Sequence, residues 1–258
     1  MNDTAGAGVL QERDGSTLLV TLNYPARRNA LSMPIREALI AAFEHAEADR
    51  DIRAVVLTGA GGTFCAGGDI SGMNVTDLAQ GRERFRVTHR LVKLMVHARV
   101  PIVAAVEGFA VGAGLSLALC CDTVVAAEDA RFGAPFPRLG LIADCALNHT
   151  LPLRIGAGRA RQMLLYGEQM DAATAERIGL IDHLVPKGAA LDLAMQRAKA
   201  LAENAPLSLA LTKALLAEGL DAALDRERDM QSTLFLTADH AEGRDAFLAK
   251  RKPMFRGV

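Results

Sequence analysis

Two glycine turns define the chemistry open to this sequence. The apolar run Val100 to Val106 leads through Glu107-Gly108-Phe109-Ala110-Val111-Gly112-Ala113-Gly114 into an uncharged, Ala/Leu-rich stretch ending at Cys120-Cys121-Asp122. It reads as strand, glycine turn and buried helix. The first N–H groups of such a helix lack acceptors, which suits a phosphate, a carboxylate or a developing oxyanion. Gly108, Gly112 and Gly114 do not match the dinucleotide fingerprint, and no Lys-Ser/Thr follows as a nucleotide phosphate loop requires. Alone, these glycines serve equally to pack a helix close to a strand. A second turn, Thr63-Phe64-Cys65-Ala66-Gly67-Gly68-Asp69-Ile70, follows the strand-like run Ala54 to Thr58. Two turns that each free an N–H after a buried strand can converge on one carbonyl oxygen. Further on, Cys145 and His149 are four apart. On a helix they would share a face, either as a thiolate pair or as a packed thiol beside a surface imidazole.

The elements that must position these turns follow a strand-then-helix order. Thr17 to Asn23 is a strand stopped by Pro25. Ser32 is an N-cap with Pro34 in the first turn, and Ile35, Leu39, Ala42, Phe43 and Ala46 form an apolar stripe at helical spacing. The strand Arg53 to Thr58 comes next, and the alternation continues through Val125, which predicts an α/β layered fold. Ser71 to Arg99 is polar and Arg-rich, with Phe85, Leu91, Leu94 and Met95 on one helical face. Leu151 to Leu180 reads as short helices, and Ile181 to Val185 as a brief strand before Pro186. Beyond Ala189 the strand signals vanish: Leu191 to Glu203, Pro206 to Glu218 and Asp221 to Ala238 are helical patterns, with Gly219 as a C′ residue. The division is an α/β body over 1–190 and a helical region over 191–258.

A chain of 258 residues, half of them hydrophobic, buries one substantial core. A net charge of -1 argues against nucleic acid as the main partner. The first residues show neither the basic and apolar regions of a secretory leader nor an Arg-rich transit pattern. Gly108 to Cys121 falls short of the ~20 residues a membrane span needs. Cys65, Cys120, Cys121 and Cys145 have neither paired disulfide spacing nor Cys-x-x-Cys metal spacing, which fits reduced thiols, and no metal site is expected. A soluble cytoplasmic protein is the expectation. The histidines His45, His89, His97, His183 and His240 show no metal spacing and receive no role.

The sequence resembles the enoyl-CoA hydratase/isomerase (crotonase) superfamily. The likeness rests on Asn29-Ala30-Leu31 after a strand, Phe64 to Asp69, Gly108 to Gly114 with Cys121-Asp122, Phe132-Gly133, Leu139-Gly140-Leu141, and the tail Phe247 with Lys250 to Phe255. It covers nearly the whole chain in the family's order. It implies a crotonase-like spiral of ββα units with a C-terminal helical region that closes the site and joins subunits into trimers or dimers of trimers. It also implies a thioester enolate held by two peptide N–H groups, at Gly68 and Ala113 in this sequence.

By the same resemblance, CoA lies beside Ala26, Arg28, Ala66, Gly68, Asp69 and Ile70, and Lys250 meets its phosphates with Arg251 or Lys252 nearby. Ser71 to Arg99 lines the acyl pocket, where Phe136 keeps an aromatic wall. CoA enters as part of the substrate, so no separate cofactor is implied. The two glutamates of the family's hydratases fall on Ser116 and Phe136, neither of which can hold a catalytic charge. Asp144 resembles the aspartate that serves as base in dienoyl-CoA and phenylacetyl-CoA-type isomerases, and as nucleophile in an aryl-CoA dehalogenase. Read without the resemblance, Asp144 is an N-cap for the helix that follows. One carboxylate suffices to move a proton between two carbons, whereas adding water requires more. The resemblance therefore favours an enoyl-CoA isomerase, shifting a double bond or isomerising a ring, with Asp144 as proton carrier. The alternatives are an enoyl-CoA hydratase of fatty-acid or aromatic-acid degradation, a dehalogenase, and a non-catalytic acyl-CoA binder; the charge speaks against an RNA binder. The family pattern gives Cys145 and His149 no joint role.

Overall fold

The computed structural model describes residues 8–258, so the expectation of no leader falls mostly outside the described residues. The strands are β1 (Gly8–Asp14), β2 (Thr17–Asn23), β3 (Ala54–Gly59), β4 (Ile102–Val106), β5 (Phe109–Val111), β6 (Thr123–Ala127), β7 (Arg131–Gly133), β8 (Gln169–Asp171) and β9 (His183–Val185). Helices α1 (Met33–Ala48), α2 (Leu78–Val96), α3 (Ala113–Leu119), α4 (Leu147–Tyr166) and α5 (Ala172–Arg177) alternate with them. The chain ends in α6 (Ala190–Ala202), α7 (Pro206–Leu216), α8 (Leu220–Leu234) and α9 (Ala238–Leu248).

Six strands form a sheet in the order β1-β2-β3-β4-β6-β9, parallel except for the β1–β2 hairpin. Its middle strands are apolar throughout, as a sheet covered on both faces requires. Val55, Leu57, Ile102, Ala104, Val106, Val124 and Ala126 face the main core. Ala54, Val56, Val103, Ala105 and Val125 face α6, which meets them with Ala190, Ala194, Ala198 and Ala202. Alanines four apart give the helix a smooth side that lies close to the strands. Although the sequence groups α6 with the tail, it packs as the second cover of the sheet.

The small sheet β5-β7-β8 positions the site. After β4 the chain turns at Glu107-Gly108, adds β5 to this second sheet and then enters α3. After β6 it turns at Glu128 to Ala130 and adds β7 parallel to β5. This is the ββα winding the resemblance implies. Three further elements differ from the sequence reading. The edge strand β1 has little apolar signal because five of its seven residues are exposed. The short helices expected over Leu151 to Leu180 are present, α4 being two helices that meet at a non-helical Gly156 (φ +78) and α5 a third, but the strand β8 interrupts them. The last helical pattern is two helices, because Thr237 caps α9 by accepting the His240 N–H at 3.1 Å. Among the described residues no helix is long and apolar enough to cross a membrane.

Candidate active site

The turn after β3 is stitched to the strand before α3. Cys65 N–H donates to Phe109 O at 2.8 Å, and Val111 N–H donates to Cys65 O at 3.1 Å. Two glycines permit this approach. A Cβ at Gly114 would stand 2.2 Å from Cys65 O, and one at Gly67 (φ +116) 3.0 Å from Val111 O and 3.9 Å from Ala113 N. Asn29, fully buried, steadies the same turn: Tyr24 N–H donates to its Oδ1, and its Nδ2 donates to Ala60 O and Thr63 O.

The consequence is two free amides on one wall. Leu31 N–H donates to Gly67 O and Asp69 N–H to Leu31 O, so the main-chain pairing passes over Gly68. Ala113 is the first residue of α3, whose first internal bond comes from Ser116. Among the described residues neither the Gly68 nor the Ala113 N–H has an acceptor, and both residues line the same cavity of about 350 Å³. Arg28, Ala66, Ile70 and Met73 also border this space, with Phe109 and Val111 of β5. Pro135, Phe136, Leu139 and Leu141 from the segment after β7 line it too, joined by Phe247 of α9.

Asp144 lines the same cavity as the two amides. Among the described residues it is the only acidic side chain lining the cavity, it is buried, and its Oδ1 has no hydrogen-bond partner. It does not cap α4; Ala146 holds that position. Burial raises the Asp144 pKa, an effect countered by the positive charge of Arg36, the neighbouring Cys145 thiol, Arg84 and His89. Arg36 is itself buried, donating to Thr88 Oγ1 at 2.6 Å and Leu31 O at 3.3 Å. Burial and the proximity of Arg36 together lower the Arg84 pKa to about 10, which still leaves it charged near neutral pH. A carboxylate of raised pKa with a free oxygen is equipped to take and return a proton.

Beyond Asp144 the chain is strained. Cys145 and Ala146 both carry positive φ (+54 and +64) at a cost of about 1–2 kcal/mol each. Two α8 side chains hold the segment. Glu227 accepts the Cys145 and Ala146 N–H groups at 2.8 and 2.9 Å, and Gln231 both accepts from Ile142 N–H at 3.0 Å and donates to Ile142 O at 2.8 Å. His89 Nε2 lies 2.9 Å from Glu227 Oε1. Burial raises the Glu227 pKa, opposed by its hydrogen bond to His89. Sequence reading gave none of His89, Glu227 or Gln231 a role. A signal was present: Leu220, Leu224, Glu227 and Gln231 share one helical stripe, and all four are buried.

The other expected residues divide. Arg28, Ala66, Ile70 and Phe136 line the cavity, while Ala26, Asp69 and Lys250 do not. Asp69 accepts from the Ser71 N–H and hydroxyl, which closes its own turn. Lys250 is exposed three residues beyond Phe247, and its neighbour Arg251 pairs with Glu242. Of Ser71 to Arg99 only Met73 reaches the cavity, with α2 standing behind. Ser116 donates back to Gly112 O at 3.2 Å and is wholly buried outside the cavity. Cys145 precedes α4, so the four-residue spacing to His149 does not place the two on one helical face. The Cys145 thiol pKa is pushed well up by burial, and His149 lies beside Gly219. A larger groove of about 1010 Å³ between α2 and α8 is open and bordered by charges of both signs, without the free amides that mark the smaller cavity.

Comparison with known proteins identifies the family. A family model described as enoyl-CoA hydratase/isomerase matches residues 12–258. The 2,3-dehydroadipyl-CoA hydratase of Escherichia coli K12 is 38% identical over 253 residues, covering 96% of this chain and 98% of the relative. The 1,2-epoxyphenylacetyl-CoA isomerase of the same organism is also 38% identical, over 259 residues with the same coverages. An enoyl-CoA hydratase structure from Mycobacterium avium subsp. paratuberculosis K-10 superposes with a TM-score of 0.87 at 32% identity, covering 97% of this chain and 99% of that one.

Proposed function

Since the chain belongs to the enoyl-CoA hydratase/isomerase family, we propose that it is an acyl-CoA isomerase in which Asp144 carries the proton. The Asp144 carboxylate removes a proton from the carbon beside the thioester, or from the far end of the conjugated system. The C–H electron pair flows into the carbonyl, and the resulting enolate oxygen accepts the Gly68 and Ala113 N–H groups. The carboxylic acid then returns the proton to another carbon, so the double bond shifts and nothing is added. Each preorganised amide contributes about 2.7–4 kcal/mol to such a barrier. The observation that carries this reading is that, among the described residues, Asp144 is the sole acid lining the cavity and its Oδ1 has no partner.

A second reading, hydration of a 2-enoyl-CoA, is favoured by the relatives whose names are hydratases. Against it, the nearby carboxylate of Glu227 is spent on backbone amides and does not border the cavity, leaving no second acid to hold a water. Asp144→Asn should abolish exchange of substrate α-protons with solvent deuterium; exchange at the wild-type rate would remove the assignment. Supplied with 3-enoyl-CoA and 2-enoyl-CoA, the enzyme should give a shifted alkene, whereas a 3-hydroxyacyl thioester would establish hydration. Saturable thioester binding with no exchange would instead identify a non-catalytic binder.

In this reading CoA passes Arg28, Ala66 and Ile70 at the cavity mouth, with Ala26, Asp69 and Lys250 flanking it, and no separate cofactor takes part. The assembly is a homo-oligomer. Leu207, Leu211 and Leu215 form an exposed apolar row along α7, which a second copy would cover. A solution mass of 27.4 kDa, that of one chain, would remove that part of the reading. A cytoplasmic location suits the four free, buried cysteines, and cell fractionation checks it.

A further inference from the structure

The loop that presents Asp144 is held from behind by one buried carboxylate. Successive N–H groups in a tight turn form a concavity that binds an anion. At Cys145 and Ala146 that anion is Glu227, with one N–H on each carboxylate oxygen, 2.8 Å to Oε1 and 2.9 Å to Oε2. Glu227 is 5% exposed and His89, 2.9 Å from Oε1, is 7% exposed. Neither borders the cavity. One turn along α8, Gln231 clasps both main-chain groups of Ile142. The loop is therefore fixed on each side of Asp144.

We propose that Glu227, braced by His89, is a positioning residue for the reaction: its two oxygens lock the left-handed pair Cys145-Ala146 and so set where the Asp144 carboxylate meets the substrate carbon. Neither residue type adopts that conformation readily, so without the carboxylate the pair would relax and carry Asp144 with it. The groups that set the charge around Asp144 come from four elements: Arg36 on α1, Arg84 and His89 on α2, Cys145 in the loop and Glu227 on α8. The inference rests on Asp144 being the proton carrier.

The test is Glu227→Gln, which keeps the size and one acceptor but sets an NH2 group against the other N–H. On the CoA thioester substrate kcat should fall about tenfold or more with KM little changed, as expected for a misplaced catalytic group. Adding Ala146→Gly, where glycine takes the left-handed conformation freely, should restore several-fold of that loss. A role in stability alone would lower the melting temperature of Glu227→Gln and leave its kcat untouched, and that result overturns the proposal. So does a double variant no faster than the single one. Should the single variant not fold, the double variant should still fold and turn over; its failure to do so counts against the proposal. Asp144→Asn, run in parallel, separates the two claims. Exchange retained there removes the proton carrier, whereas exchange lost there with full kcat in Glu227→Gln removes only the clamp.

Discussion

The cavity lining presents two main-chain amides and a single carboxylate among the described residues, and they are secured differently. The Gly68 and Ala113 N–H groups are set by strand pairing and by glycines that let Cys65 O approach α3, all within neighbouring ββα units. Asp144 sits on a loop held by residues far away in sequence, with Glu227 and Gln231 on α8 and Arg36 on α1 behind it. An amide donor survives every side-chain change except proline, whereas an acid is lost with its side chain. The amide pair is thus the fixed part of the cavity lining and the carboxylate the adjustable one.

The sharpest way to break this contrast is to delete a donor. Ala113→Pro removes an N–H at a helix start, where the proline ring is tolerated. It should cost about 10²- to 10³-fold in kcat with the fold retained. Wild-type turnover by the folded variant would mean the amide wall is scaffolding. A smaller effect concerns stability at the carboxylate. Burial raises the pKa of folded Asp144 above its unfolded value, so the stability this group contributes is present at low pH and lost as pH rises through the folded pKa. Asp144→Asn should therefore melt above wild type at pH 8, with the advantage gone below about pH 4. A lower melting point at pH 8 would make Asp144 a structural residue. The least effect is expected at the rim. Lys250→Ala should raise the dissociation constant of a CoA thioester a few-fold, more at low salt, as measured by titration. No change at any ionic strength would take Lys250 off the CoA path.

The amide wall was legible in the sequence because its signals are local. Apolar β-branched runs followed by glycines mark strand and turn, and Gly112-Ala113-Gly114 marks a helix start with spare donors. The two donors at Gly68 and Ala113, like the carboxylate itself, were assigned through family likeness; the support of that carboxylate was not identified at all. Glu227 lies 83 residues beyond Asp144, and only the packing of α8 against the loop joins them. Its trace, a charge within an apolar helical stripe, reads equally well as a solvated interruption until the fold is known. His89 was passed over for the same reason, since a lone imidazole on a helix carries no spacing to interpret. The strands β1 and β8 escaped because each is too short or too exposed to show alternation.

The alanine face of α6 has a bearing on how this scaffold diversifies. Val56, Val103 and Ala105 meet a helix surface made of single methyl groups, so even one added carbon there pushes the helix off the strands and is eliminated as a folding defect. Room for a new acyl group must come from the opposite side, where Met73, Leu139, Leu141 and Phe247 border the cavity without belonging to that tight layer. Substrate preference is free to drift in front precisely to the extent that the rear is closed to change, which lets one chassis serve a succession of thioesters.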